Sequence, residues 1–295
     1  MESHRAARLS AADLKRLIEA LRSEPDAQSL LGRLSDALET PRTSPRDLRI
    51  KLLGGLSILV GDRWESGPPP MRGRRLIEYL ALNRNVVASR DRLIELLDPR
   101  LEGEDATHRL HIAVSGARAY LRRALRGADA IRCVRGGYSW SPDVTVITDV
   151  AEFLEAACGG PDDLARAHSL YSGELLSGDE DEWIEPIRVR CAAVHAAVLE
   201  RLADGAIGQG EFALALGFGL ELVTLDRGHE GASRLVMRCF GALGRRGRAL
   251  AEFEALRAHL RKHLGLEPTA ETRQLIRAIL GEPESVPQPA PSFKA

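Results

Sequence analysis

His108 and His111 stand one helical turn apart, a step at which two imidazoles can share a divalent metal. No third ligand lies nearby in the chain, so no metal is expected there. Asp179, Glu180, Asp181 and Glu182 form a carboxylate run that could hold a cation. Carboxylates are also favoured where a helix begins, and a solvated helix entry is the simpler reading. His195 lies in an Ala- and Val-rich stretch and reads as packed rather than catalytic. The glycine pairs at 54–55, 136–137 and 159–160 lack the spacing and the strand-to-helix setting of a dinucleotide loop. Cys133, Cys158, Cys191 and Cys239 are widely separated and form no CxxC pair. They fit reduced, mostly buried thiols rather than a zinc site or a disulfide framework. No catalytic constellation emerges, and neither an enzyme activity nor a cofactor is expected.

The cations tell more. From Asp105 to Leu125 the chain reads DATHRLHIAVSGARAYLRRAL. Leu110, Val114, Ala117, Leu121 and Leu125 recur at steps of three and four, the apolar stripe of one long helix. His111, Ser115, Arg118 and Arg122 fall on one flank of that stripe, with Arg109 and Arg123 on the other. His108, Ile112, Ser115 and Ala119 lie opposite it. A β-rich segment follows from Ile131 to Thr148, broken at Gly136-Gly137 and at Ser141-Pro142-Asp143. A helix with basic flanks followed by a hairpin is the pattern of a winged helix, whose helix enters the major groove of DNA while the wing touches the flanking backbone. The alternative is an ordinary amphipathic helix with solvated arginines.

These residues must be positioned by a chain of 295 residues, which has room for two or three domains, each with its own core. Apolar content of 44% and charged content of 28% are those of a soluble globular protein. No apolar run is long enough to span a membrane, and the N-terminus lacks the apolar core of a signal peptide, so a cytoplasmic protein is expected. Net charge is −1, unevenly spread. Leu48 to Asp149 carries 17 Arg and Lys against 12 Asp and Glu, while Val150 to Glu282 carries 15 against 21. A basic block beside an acidic one suggests a nucleic-acid-facing domain joined to one facing something else.

Residues 1–47 read as two short amphipathic helices and a linker, and residues 283–295 as a Pro-rich disordered tail. Arg49 to Val60 reads as a hairpin of short strands. Helices are expected from Arg72 to Leu82, with Leu76, Tyr79 and Leu80 inward, and after Ser89, which caps a helix burying Leu93, Ile94, Leu96 and Leu97. Everything from Val150 to Leu280 is expected to be helical. Gly210 and Gly247 open two helices about 36 residues apart, near the period of tetratricopeptide arrays. The fold class is therefore mainly α with a small β component, a winged helix-turn-helix domain (48–149) followed by a tetratricopeptide-like array (150–282).

The chain resembles the Streptomyces antibiotic regulatory protein family, which joins a winged-helix domain to a bacterial transcriptional activation domain. The likeness covers about residues 50–282. It is carried in order by LLGGLSILVGD (52–62), LIEYLALNRNVVASRDRLIELL (76–97), GGYSW (136–140), TDVAEF (148–153), LYSGELLSGDEDEWIEPIRVR (170–190) and the stretch from His229 to Thr272. No GxxxxGK[ST] motif is present, unlike in the family's larger members. The resemblance implies a transcription activator that binds direct repeats in double-stranded promoter DNA as a homodimer, recruits RNA polymerase and involves no membrane. It places Leu110, Val114, Ser115, Arg118 and Leu121 on the recognition helix. Arg118 and Arg122 are the expected groove or phosphate contacts. Arg72, Arg74, Arg75 and Arg135 are expected on phosphate, with His108, Arg109, His111 and Ser115 along the same helix. The chain departs from the family pattern where His108 replaces the usual Asn, Gly116 and Ala117 replace Arg and Leu, and Asp98 replaces Trp. The face opposite the stripe thus holds no arginine. A degenerate scaffold that has lost operator binding and acts through protein contact is the alternative.

Overall fold

The computed structural model describes residues 47–60, 63–64, 69, 71–98, 100 and 103–281. The two helices expected before residue 47 and the Pro-rich tail lie outside them. The chain opens with strands β1 (Asp47–Lys51), β2 (Ser57–Val60) and β3 (Arg63–Trp64), which pair antiparallel in succession. Alternation buries Leu48, Ile50, Ile58 and Val60 on one face. Helices α1 (Met71–Leu82), α2 (Arg90–Leu97) and α3 (Gly103–Ala124) follow, with a two-residue strand β4 (Ala88–Ser89) between the first two. Ser89 caps α2 by accepting the Arg92 backbone N–H at 3.2 Å.

The stripe read from the sequence is the buried face of α3, with Leu110, Val114, Ala117, Leu121 and the following Leu125 all within the core. Each fully buried leucine contributes about 1.5–3 kcal/mol. On α1, Leu76 and Leu80 face inward as expected. Ile77 and the carboxylate Glu78 are buried with them, which the periodicity did not reveal. Glu78 survives there through Arg74, whose Nε donates to it at 2.7 Å.

The β-rich segment after α3 does not form one wing. β5 (Ile131–Val134) and β6 (Gly137–Trp140) make the hairpin, and β4 adds to its β6 edge. β7 (Thr145–Thr148) leaves it after the Ser141–Asp143 break and pairs parallel with β1. The first sheet is therefore closed by a strand from the far end of the domain, in the order β3-β2-β1-β7. Gly137 must be glycine, because a Cβ there would meet the Ala88 carbonyl oxygen at 2.0 Å. Trp140 locks the hairpin to α1, its Nε1 donating to the Leu80 carbonyl at 2.9 Å.

The remainder is helical, as expected: α4 (Asp149–Ala156), α5 (Pro161–Leu170), a 3₁₀ turn (Glu182–Ile184), α6 (Glu185–Gly208), α7 (Phe212–Leu225), α8 (Glu230–Ala242), α9 (Arg246–Leu264) and α10 (Ala270–Leu280). Successive helices pack as neighbours from α6 to α9, the nearest-neighbour stacking of a solenoid.

Separate cores were expected for the two halves, and the structure differs. One apolar cluster runs from Leu48 on β1 to Val198 on α6, through Leu110, Trp140, Phe153 and Leu176. Asp149 bolts the halves together, its buried carboxylate accepting the backbone N–H groups of Leu52, Leu53 and Val150 at 2.8–3.0 Å. Gly54 and Gly173 allow the chain segments to touch. A Cβ on Gly173 would lie 3.2 Å from Gly54 Cα, and Gly54 has φ +83°, a conformation glycine adopts without strain. The thiols also divide differently from expectation. Cys191 and Cys239 are buried, whereas Cys133 and Cys158 are exposed, because each falls on the solvent side of its element.

Candidate nucleic-acid interface

The solvent face of α3 is built as the spacing implies. His108, His111, Ile112, Ser115 and Ala119 are exposed in a row, and Ile112 is 46% exposed although it is a large aliphatic side chain. His108 and His111 line a shallow concavity with Gly103, Glu104 and Thr107 at the start of the helix. Glu104 and Asp105 occupy the first turn, where the dipole favours them.

The arginines are more engaged than their positions suggested. Arg118 is half-buried and donates from Nε to the Ile131 carbonyl at 2.9 Å, tying α3 to the first strand of the hairpin. Arg122 pairs with Asp129 in the loop between them. Arg109 reaches back to Asp98 at 2.9 Å, so the residue that replaces the family's Trp acts as an ion-pair partner. Arg74 serves Glu78, and Arg75 bonds Asp181 at 2.7 Å across the junction with the helical array. Arg72 belongs to α1, and its side chain is outside the described set. Arg135, at the hairpin turn, is exposed and has no partner among the described residues.

Two cations near it escaped the sequence reading. Arg132 on β5 donates to Ser139 at 3.1 Å, and Arg90, at the start of α2, donates its backbone N–H to the Gly136 carbonyl. The signal for Arg132 was the alternation of the hairpin. None existed for Arg90, which a tertiary contact brings there.

Ala117 gains a packing explanation. α1 crosses α3 at this point, and a Cβ on Gly73 would lie 3.0 Å from the Ala117 backbone nitrogen. The missing side chain of Gly73 permits that approach, and Ala117 is fully buried beside it.

The carboxylate run at 179–182 also acquires a structural role. Asp181 holds Arg75, and Trp183 is half-buried with its ring edge-on to Tyr79 of α1, centroids 5.5 Å apart. Arg188 organises the turn before it, donating to the carbonyls of Leu175, Leu176 and Asp179 at 2.9–3.4 Å and pairing with Glu185 at 2.8 Å. His195 is buried as expected. Its ring stacks on Tyr171 with centroids 3.9 Å apart, and burial lowers its pKa to about 4.

The architecture is a winged helix joined through a common core to a helical array. Comparison with known proteins agrees. Residues 151–280 match the bacterial transcriptional activator domain. Over 234 residues the chain is 28% identical to the regulatory protein AfsR of Streptomyces coelicolor, a match covering 75% of this chain and 23% of that protein. The chain thus spans about a quarter of the length of that relative. A solved structure of EmbR from Mycobacterium tuberculosis, in complex with a low-affinity phosphopeptide, superposes with a TM-score of 0.63 at 23% identity. That match covers 81% of this chain and 66% of the other, and it speaks for the fold. The resemblance to regulators of the Streptomyces antibiotic regulatory protein type, bearing a bacterial transcriptional activator domain, stands on these findings. No helix among the described residues is long and apolar enough to cross a membrane.

Proposed function

We propose that the chain is a sequence-specific DNA-binding transcription regulator, an activator working in the cytoplasm. In this reading α3 enters the major groove of promoter DNA and the β5–β6 hairpin follows the adjacent backbone. Two copies sit on repeated half-sites as a dimer, and the helical array contacts RNA polymerase. The domain division at residues 48–149 and 150–282 belongs to the same proposal. The observation that carries it is the unobstructed row His108, His111, Ile112 and Ser115 on the N-terminal half of α3, the part of a recognition helix that reaches base edges. Imidazole and hydroxyl groups can exchange hydrogen bonds with bases, and Ile112 suits a thymine methyl. Arg72 and Arg135 supply phosphate contacts, as do Arg74, Arg75 and Arg122 where their ion pairs yield to phosphate. Arg118 orients the hairpin through Ile131 and leaves its terminal nitrogens for the backbone of the duplex.

The test is binding of the protein to labelled DNA from upstream of its own and neighbouring genes, at two salt concentrations with scrambled competitor. Replacing His108 and Ser115 by Ala is expected to cost selectivity, roughly 1–3 kcal/mol for each base no longer read. Arg135→Ala is expected to weaken binding to all sequences alike and to lower the salt slope by about 1. Binding without selectivity would overturn the proposal. It would favour the scaffold reading, which the ion pairing of Arg109 and Arg122 supports.

A further inference from the structure

Well away from α3, three successive helices bring two imidazoles and a carboxylate together. His168 comes from the last turn of α5, His195 from the middle of α6 and Glu221 from α7. One ligand-capable atom from each lies within 4.8 Å of the others. The His168 Nδ1 and His195 Nε2 atoms face one another at 3.4 Å, while Glu221 Oε1 lies 3.9 Å from the other His168 nitrogen, Nε2, so the carboxylate must move to join the pair on one ion. We propose that this trio binds a divalent transition ion of the zinc type, with His168, His195 and Glu221 as protein ligands and water completing the shell.

Geometry and ligand chemistry favour it. A tetrahedral ion bonded to two imidazole nitrogens at 2.0–2.1 Å holds them about 3.3 Å apart, close to the observed separation. The rings are parallel within 5° with these nitrogens head-on, so a turn of each ring by roughly 35° brings both lone pairs onto one tetrahedral ion. Both rings are held by aromatic walls. Tyr171 stacks on His195, and Phe218 of α7 stands edge-on to His168 with centroids 5.6 Å apart. Glu221 is half-exposed, so a rotamer change swings its carboxylate inward and leaves the site open to solvent. Two imidazoles and one carboxylate suit zinc and its neighbours, whereas calcium and magnesium want an oxygen cage.

One feature bounds the affinity. The outer nitrogen of His195, Nδ1, is buried with no hydrogen-bond partner among the described residues. Sites whose histidines lack that support bind about 10–100-fold more weakly than supported ones. A bound ion would clamp α5, α6 and α7 together at the entry to the array, a role independent of the DNA-binding reading.

The experiment is calorimetric titration of zinc chloride into the chelator-treated full chain, repeated with cobalt to read visible d–d bands of tetrahedral character. One equivalent is expected to bind with a rise in melting temperature. His168→Gln and Glu221→Gln, both at partly exposed positions, should each weaken binding by about tenfold or more while leaving the metal-free melting temperature near that of the parent. The double replacements His108→Gln/His111→Gln on α3 and His259→Gln/His263→Gln, a neighbouring ring pair on α9 with centroids 4.5 Å apart, should leave binding intact. Absence of saturable binding would overturn the proposal. So would an affinity indifferent to both His168→Gln and Glu221→Gln, or one abolished by either control pair.

Discussion

Arg188 shows how much of a recognisable motif can be explained by one side chain. From the first turn of α6 its side chain reaches back into the turn after α5, facing three carbonyls and the carboxylates of Glu174 and Glu185. The turn it gathers includes Leu176, which is fully buried at φ +49°, a left-handed conformation costing a non-glycine residue about 1 kcal/mol. Arg188→Ala removes the donor of the Leu175 and Asp179 carbonyls, and urea unfolding should register a loss of about 3 kcal/mol. Asp149→Ala orphans the buried N–H groups of Leu52 and Leu53, and a loss of similar size is expected by the same measurement. His195 makes a prediction in pH. Its folded-state pKa of about 4 lies below the ordinary 6.5, because burial and the neighbouring His168 disfavour the charged ring. The stabilisation from keeping it neutral is present above pH 6.5 and is lost as pH falls from there through 4. Melting temperatures of the metal-free protein should drop across that interval. A His195→Gln variant, though less stable at neutral pH, should show a shallower drop.

Among the elements, those with a strong period were legible and those that depend on distant partners were not. The stripe of α3 and all the helices beyond Asp149 could be read from local sequence, to within a few residues at their ends. The destination of β7 could not, because the residues from Thr145 to Thr148 pattern equally well for a hairpin strand or for a partner of β1. The candidate interface divides in the same way. Helical geometry placed His108, Ile112, Ser115 and Ala119 on the solvent face. Nothing local announces that Arg109, Arg118 and Arg122 have partners 11, 13 and 7 residues away. The crossing of α1 and α3 at Gly73 and Ala117 is likewise a tertiary fact, and it can be tested directly. Ala117→Leu restores the family's residue but places a bulky side chain where α1 lies. Overpacking should cost about 1–3 kcal/mol in thermal or urea unfolding. A variant as stable as the parent would show that the two helices separate freely.

At the scale of the molecule, the dominant fact is the cluster that passes from β1 into α6. Smaller clusters around Ala215, Val236 and Phe253 complete the array beyond it. A fragment ending at residue 149 should lack a cooperative urea transition, since it loses Phe153, Leu175, Leu176 and Ile184 from its own interior. A fragment ending at Gly208 should retain one. Limited proteolysis of the whole chain should then leave a resistant piece longer than the winged helix. The shared interior also constrains how such proteins can be recombined. A graft that exchanges the wing and its helix between two regulators at residue 149 would cut through leucines packed from both sides. The transferable piece is the segment from β1 to α6, taken with Arg188 and its turn. A change of operator is therefore more cheaply reached through the exposed row of α3, where a substitution alters the outline offered to DNA and leaves the interior intact.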